Sequence, residues 1–183
     1  GHEARAHASF ARDPRAYHAT VCAEGDVPAD HAALMGTAAN MNYAAIATER
    51  DEDVSVTAIV TAGVQHNATC AGDPAHWRET RDGIVKVPAV AGTINTMLLV
   101  DVPVTPAALA RAIVTMTEGK SAALHRLAVP SKLNVELATG TGTDQFCIAA
   151  PSSGGKALTS ASPHVKLGEL VGLATRKATM EAL

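Results

Sequence analysis

The chain has 183 residues, enough for one domain with a sizeable core and too few for two comfortable ones. Hydrophobic residues make up 47% and charged residues 18%, as in ordinary globular proteins, but aromatics are only 3%. The core must therefore be built from Ala, Val, Leu and Ile, and a surface that stacks nucleic-acid bases on aromatic rings is a poor expectation. A formal net charge of -3 gives no electrostatic attraction to a polyanion, so no nucleic-acid partner is expected. Cys22, Cys70 and Cys147 are far apart and form no CxxC pair, which suggests neither a disulfide framework nor a cysteine zinc site. A reducing, cytoplasmic setting fits them best. No apolar run is long enough to span a bilayer, and the first residues lack the apolar stretch of a signal peptide.

In chain order, residues 1–29 are polar and weakly patterned, with Asp13-Pro14 and Val27-Pro28 as breakers. From Asp30 to about Glu49 the chain is rich in Ala, with Leu34, Met35, Ala38, Met41, Ala45 and Ile46 at helix-like spacing. The pattern predicts one helix capped by Asp30. Val54 to Val64 is β-branched and apolar and reads as a buried strand. His66 to Gly83, with Asn67, Asp73-Pro74 and the single Trp77, reads as a polar loop long enough to carry function. A second strand is expected at Ile94 to Asp101, entered through Ala91-Gly92-Thr93.

The clearest helix follows. Thr105 is a good N-cap, Pro106 suits the first helical position, and Leu109, Ile113, Met116, Leu124 and Leu127 recur on one face. Pro130 stops it. A strand at Gln145 to Ala150 comes next, and a last helix begins near Ser162-Pro163 with Leu167, Leu170, Val171 and Ala174 buried. Strands and helices mix without a tandem βαβ period. The expectation is an α+β, or open α/β, sandwich in which helices pack on a mixed sheet, as one domain over 1–183.

Several segments carry chemistry. Ala138-Thr139-Gly140-Thr141-Gly142-Thr143-Asp144 combines glycines, which admit a close ligand, with hydroxyls and a carboxylate just before a strand. It lacks the GK[ST] of a P-loop and the GxGxxG of a dinucleotide fold, and a tight turn is its plainer reading. Glu118 and Lys120 lie on the long helix, where either could reach the rim of the apolar face and serve in acid–base work; a solvated helix surface is the plainer alternative. Gly92-Thr93-Ile94-Asn95-Thr96 opens a strand with groups that can hold a carbonyl or an oxyanion, and Thr93 or Thr96 could be a nucleophile beside a base. His66, Cys70, Asp73 and His76 meet no metal template, so no metal is expected. GxSxG is absent.

Taken in order, six segments resemble the adenosylcobinamide amidohydrolase family of corrinoid salvage. They are Val60-Thr61-Ala62-Gly63-Val64 with Asn67-Ala68; Ala71-Gly72-Asp73-Pro74; Ala91-Gly92-Thr93-Ile94-Asn95; Thr115 to Lys120; Ala138 to Asp144; and Lys166-Leu167-Gly168-Glu169-Leu170. The resemblance implies hydrolysis of the amide joining a corrin propionate to aminopropanol, giving adenosylcobyric acid. The corrinoid is then substrate and not cofactor, and no cofactor is implied. Three positions depart from the family pattern: Gly119 where Ala is expected, Cys70 where Arg is expected, and the Ser160 to Val165 run.

In this reading Glu118 or Asp144 is the general base, Lys120 orients it or protonates the leaving amine, and Thr93 and Asn95 supply oxyanion or amide contacts. Asn67, Asp73, Thr139, Gly140, Thr141, Gly142, Thr143, Lys166 and Glu169 are expected to bind substrate, although Lys166 and Glu169 are spaced to pair with each other. Alternatives are a corrinoid-binding module without catalysis, or a hydrolase of another amide on the same scaffold. A homo-oligomer is left open.

Overall fold

The computed structural model describes residues 13–75, 77–86 and 92–183. Residues 1–12, His76 and Ala91, on which parts of the expectations above rest, lie outside these. Helix α1 (Pro14–Glu24) is capped by Asp13, whose carboxylate accepts from Arg15 N at 3.1 Å and Ala16 N at 3.0 Å. The Asp13-Pro14 pair that looked like a breaker is thus a start signal: a cap followed by Pro at the first helical position.

The helix expected over Asp30 to Glu49 does not form. Short 3-10 turns occupy Ala29–His31 and Met41–Tyr43, an irregular segment joins them, and strand β1 (Ala45–Asp51) follows. Alanine spacing fits period two as well as period four here, and pairing decides between them. Ala45 and Ala47 face the core while Ile46 faces out, and β1 runs antiparallel to β2 (Val54–Ala62) in a hairpin turned by Glu52 at φ 48°.

The expected strands at Val54 and Ile94 are present as β2 and β6 (Ile94–Val100), and they pair antiparallel. The loop between them holds β3 (Ala68–Thr69) and a small hairpin of β4 (Trp77–Thr80) and β5 (Gly83–Lys86). Helix α2 (Pro106–Arg126) then leads through β7 (Gly140–Thr141) to β8 (Gln145–Ala149), which lies parallel to β6. The main sheet therefore has the order β1-β2-β6-β8 and is mixed, as expected. Helix α3 (Lys166–Glu181) ends the fold, and the two-stranded β3–β7 ladder stands apart.

Both long helices cover one face of the sheet. Val56, Ala58, Val60, Ile94 and Leu98 meet Ala112, Met116 and Leu124 of α2 and Leu167, Leu170, Val171, Ala174 and Ala178 of α3. The buried stripe of α2 is rotated from the expected one: Ala108, Ala112, Thr115, Gly119 and Ala123 are buried, while Leu127 is exposed. Small residues win because α2 and α3 pack closely. A Cβ on Gly119 would stand 2.9 Å from the Gly172 carbonyl oxygen and 3.3 Å from Thr175 Cβ. The Gly at this departure from the family pattern is thus fitted to the crossing, despite costing about 1 kcal/mol in helix propensity. Among the described residues no helix is long and apolar enough to cross a membrane.

Candidate active site

The ends of the sheet differ in chemistry. At one end, the β1–β2 turn meets the start of α3, and Lys166 Nζ lies 2.8 Å from Glu169 and 3.8 Å from Asp51. The Glu169 bond, more than the opposed but weaker effect of desolvation, holds the Lys166 ammonium above its usual range. Lys166 and Glu169 therefore pair with each other, as their spacing suggested. Lys166 borders a depression of about 430 Å3 at the end of the sheet remote from the other expected site residues.

At the other end, where Ala62 pairs with Ile94, four sequence segments converge. Asp144 is their hub. Its Oδ1 accepts from Ile94 N at 2.9 Å and from Thr141 Oγ1 at 2.5 Å; its Oδ2 accepts from Thr141 N at 3.1 Å and from Lys120 Nζ. A carboxylate has about four lone-pair positions, and here all are taken. The Lys120 and Asp144 side chains are only 14% and 17% exposed, so solvent screens their attraction weakly. Gly140 makes the approach possible, since a Cβ there would collide with Asp144 Oδ2 and Lys120 Nζ.

The loop is tied down around this hub. Thr93 Oγ1 donates to Thr143 O at 2.7 Å, and Ser121 Oγ donates to Thr139 O at 3.1 Å. The Gly92 carbonyl accepts from Thr143 Oγ1 at 2.8 Å and from Asn67 Nδ2 at 2.5 Å. A side chain on Gly92 would overlap the Asn67 amide. The β3–β7 ladder joins the Asn67 segment to the threonine–glycine loop, leaving Gly142 and Thr143 exposed at its tip.

A second carboxylate hub braces the same loop from behind. Asp73 Oδ2 accepts from Ser131 Oγ at 2.8 Å, Cys70 N at 2.7 Å and Thr69 Oγ1 at 2.8 Å, and Oδ1 accepts from Asn134 Nδ2. The Ser131 hydroxyl, with the Cys70 amide and Thr69, holds the Asp73 carboxyl below the usual range against a partial desolvation effect. Ala71 N donates to Thr139 Oγ1 at 2.9 Å, which links this brace to the loop. Beside it the Cys70 thiol donates to Glu136 at 3.4 Å, and that bond raises its pKa.

A cleft of about 620 Å3 opens at this end of the sheet. Its walls include Ala39, Asn40, Gly63, His66, Gly92 and Glu181. Of the expected site residues, Asn67, Thr93, Lys120, Thr139, Gly140, Thr141, Gly142, Thr143 and Asp144 gather around the network beside this cleft. Asn95 lies two residues along β6 and Asp73 sits in the adjoining brace. Glu118 is exposed on α2, outside the network, and Thr96 is 2% exposed on the helix-covered face of the sheet. Sequence alone weighed His66 only as a metal ligand and missed its place on the cleft wall; the signal that could have found it is its position next to Asn67 of the family-like segment.

The uncharacterized protein MJ1613 of Methanocaldococcus jannaschii is 37% identical over 160 residues, covering 82% of this chain and 62% of that protein. The chain thus spans somewhat less than two thirds of that relative's length. The family model described as adenosylcobinamide amidohydrolase matches residues 2–183, essentially from end to end, and the chain belongs to that family.

Proposed function

We propose that this chain hydrolyses the amide between a corrin propionate and aminopropanol in adenosylcobinamide, releasing adenosylcobyric acid. The observation that carries the proposal is the Lys120–Asp144 hub, which fixes a cation and a threonine–glycine loop beside a cleft. Family membership supplies the substrate class.

Amide hydrolysis needs an acceptor for a proton of water, a stabiliser of the oxyanion and a donor to the departing amine. Asp144, with four donors on its two oxygens, has no lone pair left for a proton from water. In our reading it is a positioning residue that aims Lys120 and shapes the loop. Lys120 and the loop tip at Gly142 and Thr143 then face the developing negative oxygen. The His66 imidazole on the cleft wall accepts the proton of the attacking water and returns it to the amine as the C–N bond breaks. The corrinoid enters only as substrate, and the three free thiols suit a reducing compartment.

The test is incubation with adenosylcobinamide and detection of adenosylcobyric acid by mass spectrometry. Product that is lost in Lys120→Met and His66→Gln, and retained in Glu118→Gln, supports the reading. No product from the wild-type chain refutes it.

A further inference from the structure

Among the buried polar atoms that find no partner in the described residues, two lie on the main sheet at its site end. Thr61 of β2 and Asn95 of β6 are cross-strand neighbours, so their side chains stand together on the face opposite the helices. Each residue is 6% exposed, and both Thr61 Oγ1 and Asn95 Oδ1 are buried without a hydrogen bond. Buried polar atoms are normally satisfied, and an orphan costs the desolvation of the group. Two orphans facing one another form a small polar spot that the folded chain does not use.

The cover over this spot is slight. Residues 32–39 lack regular structure, and among the described residues one hydrogen bond ties them to the sheet, from Asn95 Nδ2 to Gly36 O at 2.9 Å. Ala38, Ala39 and Asn40 of the same segment also wall the cleft, with Ala39 Cβ against Gly63. Displacing only the part of this strap that walls the cleft would join the polar spot to it, with Gly36 O left on Asn95 Nδ2. Next to the spot on the same face, Ile59 and Met97 pair across the strands as apolar ground.

We propose that Thr61 and Asn95 are a specificity-determining pair: when residues 37–40 lift, with Gly36 O still holding Asn95 Nδ2 and so the orientation of its amide, their unpartnered oxygens take up one carboxamide group of the substrate. The geometry suits that group's chemistry. A carboxamide N–H donates to Asn95 Oδ1 and its carbonyl accepts from the Thr61 hydroxyl, so both orphans are satisfied at once. A carboxylate in the same place has no proton for Asn95 Oδ1 and is rejected. The inference rests on the proposed corrinoid substrate, whose ring is apolar and carries carboxamide arms.

The test is a titration of the wild-type chain and its Thr61 variants with adenosylcobinamide, and with a derivative whose arm carboxamides are hydrolysed to carboxylates. Binding is followed by corrin absorption, and stability by urea unfolding. Wild type is expected to prefer the carboxamide form, and Thr61→Val to lose about ten-fold in affinity, the order of one neutral hydrogen bond. The same Thr61→Val is expected to be as stable as wild type or more so, because an apolar isostere removes an orphan. Thr61→Ser, which keeps the hydroxyl, is expected to bind as wild type does. Undiminished binding by Thr61→Val, or equal wild-type affinity for the two corrinoids, overturns this inference alone. Absence of corrinoid binding by the wild-type chain overturns it together with the proposed function.

Discussion

Replacing Asp144 with Asn tests the hub directly. The amide matches the carboxylate in shape but substitutes an NH2 for one oxygen. Its best orientation keeps the oxygen on Ile94 N and Thr141 Oγ1, and turns the NH2 toward Thr141 N and Lys120 Nζ. Two acceptor contacts become donor–donor contacts, and Lys120, 14% exposed, loses its counter-charge. Removing one partner of such a buried pair costs about 3–5 kcal/mol, a large share of a total of about 5–15 kcal/mol. The assay is urea unfolding followed by circular dichroism, in a cycle with Lys120→Met. If the ion pair dominates, Asp144→Asn in the Lys120→Met background costs about 2 kcal/mol less than in wild type. A loss below about 1 kcal/mol for the single variant, or no coupling in the cycle, would refute the assignment of Asp144 as the organising group.

Other outcomes follow from the same geometry. Glu118→Gln, on an exposed helix face, is expected to change stability by less than about 0.5 kcal/mol and leave turnover unaltered. Gly92→Ala forces a methyl into the Asn67 amide and toward Gly63 O, and is expected to lower both turnover and the urea midpoint. For Asp101, burial pushes the carboxyl up, but the Ser55 hydroxyl and amide, at 2.6 Å and 2.7 Å, outweigh it with help from Arg50. Its net folded pKa is depressed, as is that of Asp73, so each contributes stability above the unfolded carboxyl pKa of about 4 and loses it as pH falls through the folded value. Acid titrations should show Asp101→Asn unfolding with a flatter pH dependence below about pH 4 than wild type. Lys166→Met, at the far end of the sheet, is expected to leave KM for the corrinoid unchanged, and a raised KM would bring that end back into the site.

Much of the architecture was legible because strong local signals and tertiary packing agree. Thr105 and Pro106 start α2 as read, with Thr105 Oγ1 accepting from Ala108 N at 3.3 Å, and the β-branched runs at Val54 and Ile94 became paired strands. Reading failed where pairing or packing overrode local pattern. Alanines in Ala45–Asp51 suited a helix and became an edge strand, because β2 offers that edge a ladder. The β4–β5 hairpin was missed although Asp82-Gly83 is a known turn signal, its Gly at φ 132°. In the site, the threonine–glycine loop stood out by composition, and its closeness to Lys120 was expected only through family resemblance. Nothing in spacing says that Asp144 would be saturated by four donors while Glu118 faces solvent. That distinction depends on which way α2 is rolled, and the small residues that set the roll, Gly119 above all, carry little periodic signal.

The Gly119–Gly172 contact has a further consequence, because Lys120 is the next residue in the chain. Inter-helix spacing and the location of the ammonium are in effect one mechanical coordinate. A substitution that wedges the helices apart, even one remote from any ligand, drags the cation off its anchor by a similar displacement. Changes that look like simple loosening of the interior should therefore register first as loss of turnover, ahead of any fall in thermal resistance.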